Sequence, residues 1–291
     1  MLKQGFYCAL GTPLDDKGNL LAKSLEAHIE SQIEAGASGL LLMGTMGMLG
    51  CVRDSQYSVT IKTAADAVRG RVPLMVGAAD NSIARIRDRL DVLAGYSVYA
   101  VLTAPYYFAL NKTTALGSLG AAAASSRNPL YLYDHPFTAR YKLEYNDVIE
   151  LSKHPSVKGI KTGDPVLIKA LLDSSEIKKD FTPIFSNSDL FIMGWAYGVR
   201  HLLDGIFSCF PKTTKAAGLA LAASDMGEAK FHMNRLMAGR DKMTSAGIWP
   251  MFSKAMNLLG FPGNFAPDYE PALNDADSEL MKKILTDAGE L

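Results

Sequence analysis

Cysteine is scarce in this sequence, which has only Cys8, Cys51 and Cys209 among its 291 residues. The three are widely spaced and form neither a CxxC motif nor a Cys/His pattern, so neither a disulfide framework nor a zinc site is indicated. No run of about 18 apolar residues is present, and the N-terminal segment lacks a basic region followed by a long apolar stretch. We therefore expect a cytoplasmic protein.

An excess of charge of one sign is also missing, since 30 basic and 30 acidic side chains give a net charge of zero. This balance excludes the basic footprint typical of proteins that bind nucleic acids or anionic membranes. It also removes one common barrier to self-association, so oligomers are allowed. Hydrophobic residues make up 48% and charged residues 21% of the chain, which excludes wholesale disorder.

The sequence does contain a regular alternation of short apolar runs and longer segments with helical periodicity. Most of the apolar runs are continuous, as is typical of strands buried on both faces of a parallel sheet. The strand candidates are residues 5–10, 38–43, 73–78, 97–102, 129–133, 156–161, 182–186 and 202–208. No GxGxxG motif follows the first strand, so a dinucleotide-binding sheet loses its usual support. The alternation predicts an α/β protein, a (β/α)8 TIM barrel with a C-terminal helical extension.

The predicted helices set the domain boundaries. Ser24 is a candidate N-cap of the first helix, and Gly36 follows its end. Further helices are predicted at about residues 53–69, 82–94, 112–126, 144–153, 165–174, 189–198, 212–223, 226–258 with a break around Gly247, and 276–288. We expect residues 1–224 to form the barrel and residues 225–291 to form the extension packed on it, within a single structural unit.

Lys161 is the most informative residue, because the apolar run that contains it ends there. Asp164 followed by Pro165 predicts the N-terminus of the next helix. Lys161 therefore lies at the carboxyl end of a strand, which is the active-site end of a TIM barrel. A neutral lysine amine there is a nucleophile that forms a Schiff base with a ketone. Tyr133, on the neighbouring strand, is a candidate proton carrier.

Each of these residues also has an ordinary structural interpretation. Lys161 could be a solvated lysine, and Tyr133 could be a core aromatic. Thr45 lies on a glycine-flanked turn whose backbone N–H groups could bind a carboxylate or could serve only a tight turn. A common site is favoured by the polar residues that follow different strands, namely Thr12, Thr45, Tyr106, Tyr107, Tyr133 and Lys161.

With these residues in place, the chain resembles the dihydrodipicolinate synthase / N-acetylneuraminate lyase family of class I pyruvate-dependent aldolases. The family's Gly-[Ser/Thr]-Thr-Gly-Glu turn corresponds to Gly44, Thr45, Met46, Gly47 and Met48. Its Tyr-Asn-x-Pro segment corresponds to residues 133–136, its Gly-x-Lys strand to residues 159–161, and its tyrosine pair to Tyr106 and Tyr107. The motifs match in order and spacing, which supports the barrel fold.

The resemblance implies a mechanism for these residues. Lys161 would form an imine with pyruvate or another 2-oxo acid, and Tyr133 would shuttle the proton. Thr45 and Tyr107 would relay that proton to solvent, and Tyr107 would reach in from a neighbouring subunit. The backbone N–H groups of Thr45 and Met46, beside Gly44, would hold the carboxylate. No cofactor or metal is implied, because the lysine supplies the electron sink.

The chain departs from the family at positions that concern the substrate. Met46 replaces the second hydroxyl of the turn, and Met48 stands where a glutamate is usual. Thr138 occupies the position where the synthase branch has an arginine for its second substrate, so Arg140 is a candidate substitute. Ser208, after the eighth strand, is assigned to the substrate pocket by position only. His135 could serve in specificity or could be structural.

Three hypotheses follow from these features. The first is a Schiff-base aldolase or lyase that joins or splits a 2-oxo acid and an aldehyde through Lys161. The second is 4-hydroxy-tetrahydrodipicolinate synthase itself. The third is a catalytically silent family member that binds a 2-oxo acid, motivated by Met46 and Met48. The family implies small-molecule substrates and a homotetramer or homodimer, and the identity of the aldehyde is left open.

Overall fold

The computed structural model describes residues 2–291, and in these residues eight strands alternate with helices along the chain. The strands form a closed barrel in which the order around the barrel is the order in the chain, and the neighbouring strands pair in parallel. Their bounds are β1 Gly5–Ala9, β2 Gly39–Leu42, β3 Leu74–Gly77, β4 Tyr99–Leu102, β5 Leu130–Asp134, β6 Val157–Thr162, β7 Thr182–Phe185 and β8 His201–Asp204. The predicted (β/α)8 TIM barrel is confirmed.

The helices follow the predicted periodicity, with one addition. They are α1 Ala22–Glu34, α2 Asp54–Val68, α3 Ile83–Leu93, α4 Lys112–Ser125, α5 Pro136–Ala139, α6 Tyr145–Ser152, α7 Pro165–Leu172, α8 Phe191–Tyr197, α9 Pro211–Ala222, α10 Met226–Ser245, α11 Ile248–Leu258 and α12 Asp275–Asp287. The short α5 has no counterpart among the predicted helices. No helix in residues 2–291 has the length and apolar character needed to cross a membrane.

Two details of the predicted elements are wrong. Ser24 does not cap α1, because the helix starts earlier, with Leu21 at the N-cap, and Ser24 is buried inside it. The eighth strand is shorter than predicted, since it ends at Asp204 and the chain then turns into a 3-10 helix over Ile206–Cys209. The apolar run at residues 202–208 thus combines a strand and a turn.

Packing divides the described chain into two compact units, which we treat one at a time. The first consists of the N-terminal residues to Gln4 together with Pro73–Leu203, and it carries β3 to β7 and most of β8. The second consists of Gly5–Val72 and Asp204–Leu291, and it carries β1, β2 and the C-terminal helices. In the second unit α9 packs on β1 and α10, and α10 and α12 pack on α11. The predicted boundary at residue 224 stays a prediction.

Gly159 allows β5, β6 and β7 to pack closely in the first unit. A Cβ atom at this position would lie 2.2 Å from Cε1 of Tyr131 and 2.3 Å from the carbonyl oxygen of Thr182. The Tyr131 ring, which is 2% exposed, fills the space that a side chain would need. Glycine is therefore required two residues before Lys161, where it sets the approach of the strands that flank the lysine.

Candidate active site

Lys161 and Tyr133 lie side by side on adjacent strands of the first unit. β5 and β6 pair so that Tyr133 is opposite Lys161, and residues opposite each other in a ladder share a face of the sheet. Nζ of Lys161 is 3.7 Å from the centroid of the Tyr133 ring. The two residues are 7% and 9% exposed. The amine is therefore held against the phenol ring and is not a solvated surface group.

The next pair in the same ladder, Asp134 opposite Thr162, points to the other face. Oδ2 of Asp134 accepts hydrogen bonds from the Thr162 hydroxyl at 2.7 Å and from Nζ of Lys142 at 2.7 Å. Its Oδ1 accepts the Leu143 N–H at 3.0 Å. The carboxylate is 1% exposed and is satisfied on both oxygens. This cluster joins the ends of β5 and β6 directly behind Tyr133 and Lys161.

The cluster continues into the cap of the following helix. Asp164 accepts the N–H groups of Val166 at 2.8 Å and Leu167 at 3.2 Å, which confirms the predicted N-cap of α7. Its other oxygen lies 3.2 Å from Nζ of Lys142. Burial lowers the pKa of Lys142, but hydrogen bonds and charge from Asp134 and Asp164 outweigh burial and raise it above its ordinary value. Lys142 is therefore a cation that holds two carboxylates beside the strand ends.

His135 follows Asp134 and lies on the same side of β5 as Tyr133. The backbone leaves the extended region there, with φ −137° and ψ 72°, but the two rings are still only 5.0 Å apart between centroids. Burial, and then the positive charge of Lys161, lowers the pKa of His135 to about 4, although Asp134 acts in the opposite direction. Nδ1 is buried and makes no hydrogen bond with any group in residues 2–291. At neutral pH, His135 is thus an uncharged imidazole beside the candidate catalytic pair.

The side chain of Asn81 binds the backbone of the tyrosine pair that follows β4. Oδ1 of Asn81 accepts the N–H of Tyr106 at 2.9 Å and the N–H of Tyr107 at 2.8 Å. The side chain of Tyr107 is 71% exposed and its ring meets Phe108 edge to face, with centroids 4.9 Å apart. Asn81 was not among the site residues predicted from the sequence. The polar Asp80–Asn81–Ser82 run after β3 was an available signal.

The glycine-flanked turn at residues 44–48 lies in the second unit, and a hydrogen bond from another residue of that unit stabilises it. The Thr12 hydroxyl donates to the carbonyl oxygen of Gly47 at 2.6 Å. Met43 and Met48 have positive φ values of 53° and 54°, which bulky side chains rarely adopt. Thr45 is exposed at the tip of this turn. A turn that accepts such backbone strain is typical of a functional segment.

Met46 has a packing role in the same unit. A Cβ atom added to Gly205 would lie 2.0 Å from Cγ of Met46, so the methionine side chain covers that glycine. Met48 is 3% exposed. The two family departures in the turn are therefore apolar side chains, one packed over the turn after β8 and the other buried.

Ser208, predicted to bind substrate, is in the core of the second unit. It is fully buried, its hydroxyl donates to the carbonyl oxygen of Ala9 at 3.0 Å, and its Oγ lies 3.1 Å from Sγ of Cys8. β8 ends at Asp204, so Ser208 falls in the 3-10 turn instead of at the strand end, and its predicted role in substrate binding stays a prediction. Arg140 is exposed and caps α5 in the left-handed conformation, and its predicted role stays a prediction.

No group of three or more His, Cys, Asp or Glu side chains within the described residues is placed to hold a metal ion. The arrangement that residues 2–291 do provide is a buried lysine over a tyrosine at the carboxyl end of a parallel barrel strand. In a TIM barrel that end carries the catalytic groups. Fold and site together define a barrel enzyme of the Schiff-base type.

Comparison with known proteins identifies the family. A model of the dihydrodipicolinate synthetase family matches residues 3–286, so the chain belongs to that family. A 4-hydroxy-tetrahydrodipicolinate synthase from Ligilactobacillus salivarius is 29% identical over 283 residues, which cover 95% of this chain and 96% of that protein. The synthase of an Exiguobacterium species is 28% identical over 245 residues, or 82% of each chain.

A solved structure has the same fold. YagE, a prophage protein of the dihydrodipicolinic acid synthase family from E. coli K12 in complex with pyruvate, superposes with a TM-score of 0.89 at 18% identity, and the match covers 100% of both chains. At this identity the likeness supports the barrel alone.

Proposed function

We propose that Lys161 forms an imine with pyruvate or a related 2-oxo acid, and that the enzyme thereby makes or breaks a carbon–carbon bond to an aldehyde. As a member of the dihydrodipicolinate synthetase family, the protein is a pyruvate-dependent aldolase or lyase of the Schiff-base class. The observation that carries the assignment to Lys161 is its position, buried and 3.7 Å from the Tyr133 ring.

The reaction can be written with Lys161 and Tyr133 alone. The amine adds to the ketone carbon, and the carbinolamine loses water to give the protonated imine. A proton then leaves the adjacent carbon, and its electron pair moves into the imine to give an enamine. The enamine carbon adds to the aldehyde carbon, and water releases the product and restores the amine. We assign the proton transfers to the hydroxyl of Tyr133, the titratable side chain whose ring lies beside the amine.

The other roles extend this proposal from the family resemblance. The backbone N–H groups of Thr45 and Met46, in the turn that begins at Gly44, would bind the 2-oxo acid carboxylate. The exposure of Thr45 and the bracing of its turn by Thr12 are in keeping with that role. Tyr107 would relay protons, and Arg140 would contact the second substrate. Ser208 has no part in the proposal, because its hydroxyl is already used in the core.

Assembly is part of the proposal. Tyr107 and Phe108 are 71% and 70% exposed, although apolar rings are usually buried. Their exposure supports a homotetramer or homodimer in which Tyr107 completes the site of a second copy. Light scattering after size exclusion measures the mass. A monomeric species with full activity would contradict this role of Tyr107.

Borohydride trapping tests the assignment of Lys161. The protein is incubated with pyruvate, reduced, digested and mapped by mass spectrometry. The expected result is a reduced pyruvate adduct on Lys161 and its loss in Lys161→Arg. Lys158→Arg is the matched control, because Lys158 is on the same strand but pairs with Asp180 at 2.6 Å. No adduct with pyruvate or with any other 2-oxo acid would favour the catalytically silent alternative.

The second candidate function is 4-hydroxy-tetrahydrodipicolinate synthase, which the names of the curated relatives favour. Thr138 opposes it, because a threonine cannot pair with a carboxylate as an arginine does. Kinetics with aspartate semialdehyde against a panel of other aldehydes separate the two. A clear preference for aspartate semialdehyde would make the synthase the better assignment.

A further inference from the structure

We propose that His135 selects the second substrate, through a hydrogen bond to an uncharged oxygen, a hydroxyl or carbonyl, on the carbons next to the new bond. The substrate class is therefore a neutral hydroxyaldehyde and not an aldehyde acid. This inference rests on the proposed function, because it assumes the imine on Lys161, and it adds the chemistry of the partner substrate.

The position of His135 is the first argument. It lies two residues after Tyr133, just past the end of β5, and its ring stays on the side of the strand that carries Tyr133 and Lys161. The ring centroids of Tyr133 and His135 are 5.0 Å apart, and Nζ of Lys161 is 3.7 Å from the Tyr133 centroid. The imidazole thus lies beside the tyrosine that contacts the amine. A second substrate has to approach this same group of side chains to reach the imine.

The unused hydrogen-bonding capacity of the ring is the second argument. Nδ1 of His135 is buried and bonds no group in the described chain. Buried imidazoles with a purely structural role usually fix one tautomer through a hydrogen bond at one nitrogen. Because no protein group at Nδ1 fixes the tautomer here, Nε2 can act as a donor or as an acceptor. That versatility suits a hydroxyl, which also donates and accepts.

Charge is the third argument. With its pKa lowered to about 4, first by burial and then by Lys161, His135 is neutral at pH 7 and offers no cation to a carboxylate. Thr138, at the position of the synthase arginine, is uncharged as well. The nearby cation Lys142 is paired with Asp134 at 2.7 Å and Asp164 at 3.2 Å. None of these three side chains therefore offers an unpaired cation, and the remaining cation of the segment is Arg140, which is exposed after α5 and which a charged substrate would have to reach.

The hypothesis is tested with aldehydes that differ by one oxygen atom. Pyruvate is supplied in excess, and kcat/KM is measured for 2-hydroxypropanal and for propanal. We expect the wild-type enzyme to prefer the hydroxyaldehyde by about 10-fold or more, because one hydrogen bond to a buried polar group is lost with propanal. Succinic semialdehyde serves as the charged substrate and should be the poorest of the three.

Two variants assign the preference to His135. In His135→Leu the ratio between the two aldehydes should fall to near one, mainly through loss of the hydroxyaldehyde reaction. His135→Asn keeps a donor and an acceptor and should retain part of the ratio. His154→Leu is the matched control, since His154 lies before the amino end of β6.

Other outcomes overturn the proposal in distinguishable ways. No wild-type preference, an equal loss for both aldehydes in His135→Leu, or a preference for succinic semialdehyde would each refute the specificity role. The borohydride adduct on Lys161 is measured in every variant. Its loss in His135→Leu alone would place His135 in imine formation instead. Its absence in the wild type would refute the proposed function, and the specificity role with it.

Discussion

His28 should make the protein sensitive to mild acid, and replacing it with leucine should remove part of that sensitivity. His28 lies on α1 in the second unit and is fully buried. Its ring packs against Phe261 and Phe265, with centroids 5.2 Å and 6.3 Å away. Neither ring nitrogen has a hydrogen-bond partner in residues 2–291. The folded protein therefore strongly disfavours the charged imidazolium.

The magnitude follows from the two pKa values. Burial lowers the pKa of His28 in the folded state from 6.5 to about 3. Between these values the unfolded chain binds a proton that the folded chain does not bind, so the free energy of unfolding falls as the pH falls. A pH of 5 is about 1.5 units below the pKa of His28 in the unfolded chain, so the free energy of unfolding is lowered there by about 2 kcal/mol. Near pH 7.5 this destabilisation is almost absent.

The assay compares wild type and His28→Leu by urea unfolding at fixed protein concentration, since assembly makes stability depend on concentration. His135 and His201 also have lowered pKa values, but they are present in both proteins and cancel in the difference. We expect the variant to gain about 2 kcal/mol relative to wild type when the pH is lowered from 7.5 to 5. A difference that does not change with pH would refute the argument.

Two further predictions concern packing. Gly159→Ala should cost about 3 kcal/mol or more in unfolding free energy, because its Cβ would overlap Tyr131 and the Thr182 carbonyl. Gly117→Ala, at a helical position on α4 with no atom within 4 Å of the added Cβ, is the control and should stabilise by about 0.5–1 kcal/mol. Equal effects would contradict the close-packing account. Ser208→Ala should lower stability by about 1 kcal/mol and leave the KM for the 2-oxo acid unchanged, because its hydroxyl bonds Ala9. A raised KM would restore Ser208 to the substrate pocket.

The barrel was predictable because its signal is repeated along the chain. Strands buried on both faces give apolar runs, and eight of them with helical segments between leave few other folds. The wrong predictions concern segments whose amino-acid composition fits two different local structures. Ser24 has the chemistry of an N-cap, but α1 starts before it. The run at residues 202–208 is apolar in both its strand part and its 3-10 part, so the end of β8 could not be located from hydrophobicity.

The Lys161–Tyr133 pair was predictable for a different reason. The carboxyl ends of parallel strands meet at one end of a barrel, so a lysine and a tyrosine that end consecutive strands must be neighbours. The distance of 3.7 Å and the burial depend on the register between β5 and β6, which alternation alone does not specify. The same limit applies to His135, whose position beside Tyr133 depends on the backbone conformation just past the strand end, with φ −137° and ψ 72°.

The cluster of Asp134, Lys142 and Thr162 could not be predicted, and it explains the aspartate at position 134, where the family motif has an asparagine. A lone carboxylate at the position of the family's asparagine would have suggested a negative charge in the active site. The structure turns it to the outer face, where Lys142 and Thr162 each lie 2.7 Å from Oδ2. Lys142 lies eight residues after Asp134 in the sequence. The two side chains meet because α5, between them, folds the chain back. Asp134 therefore supports the two strand ends from behind, while His135 is the neighbouring side chain on the face that carries Lys161.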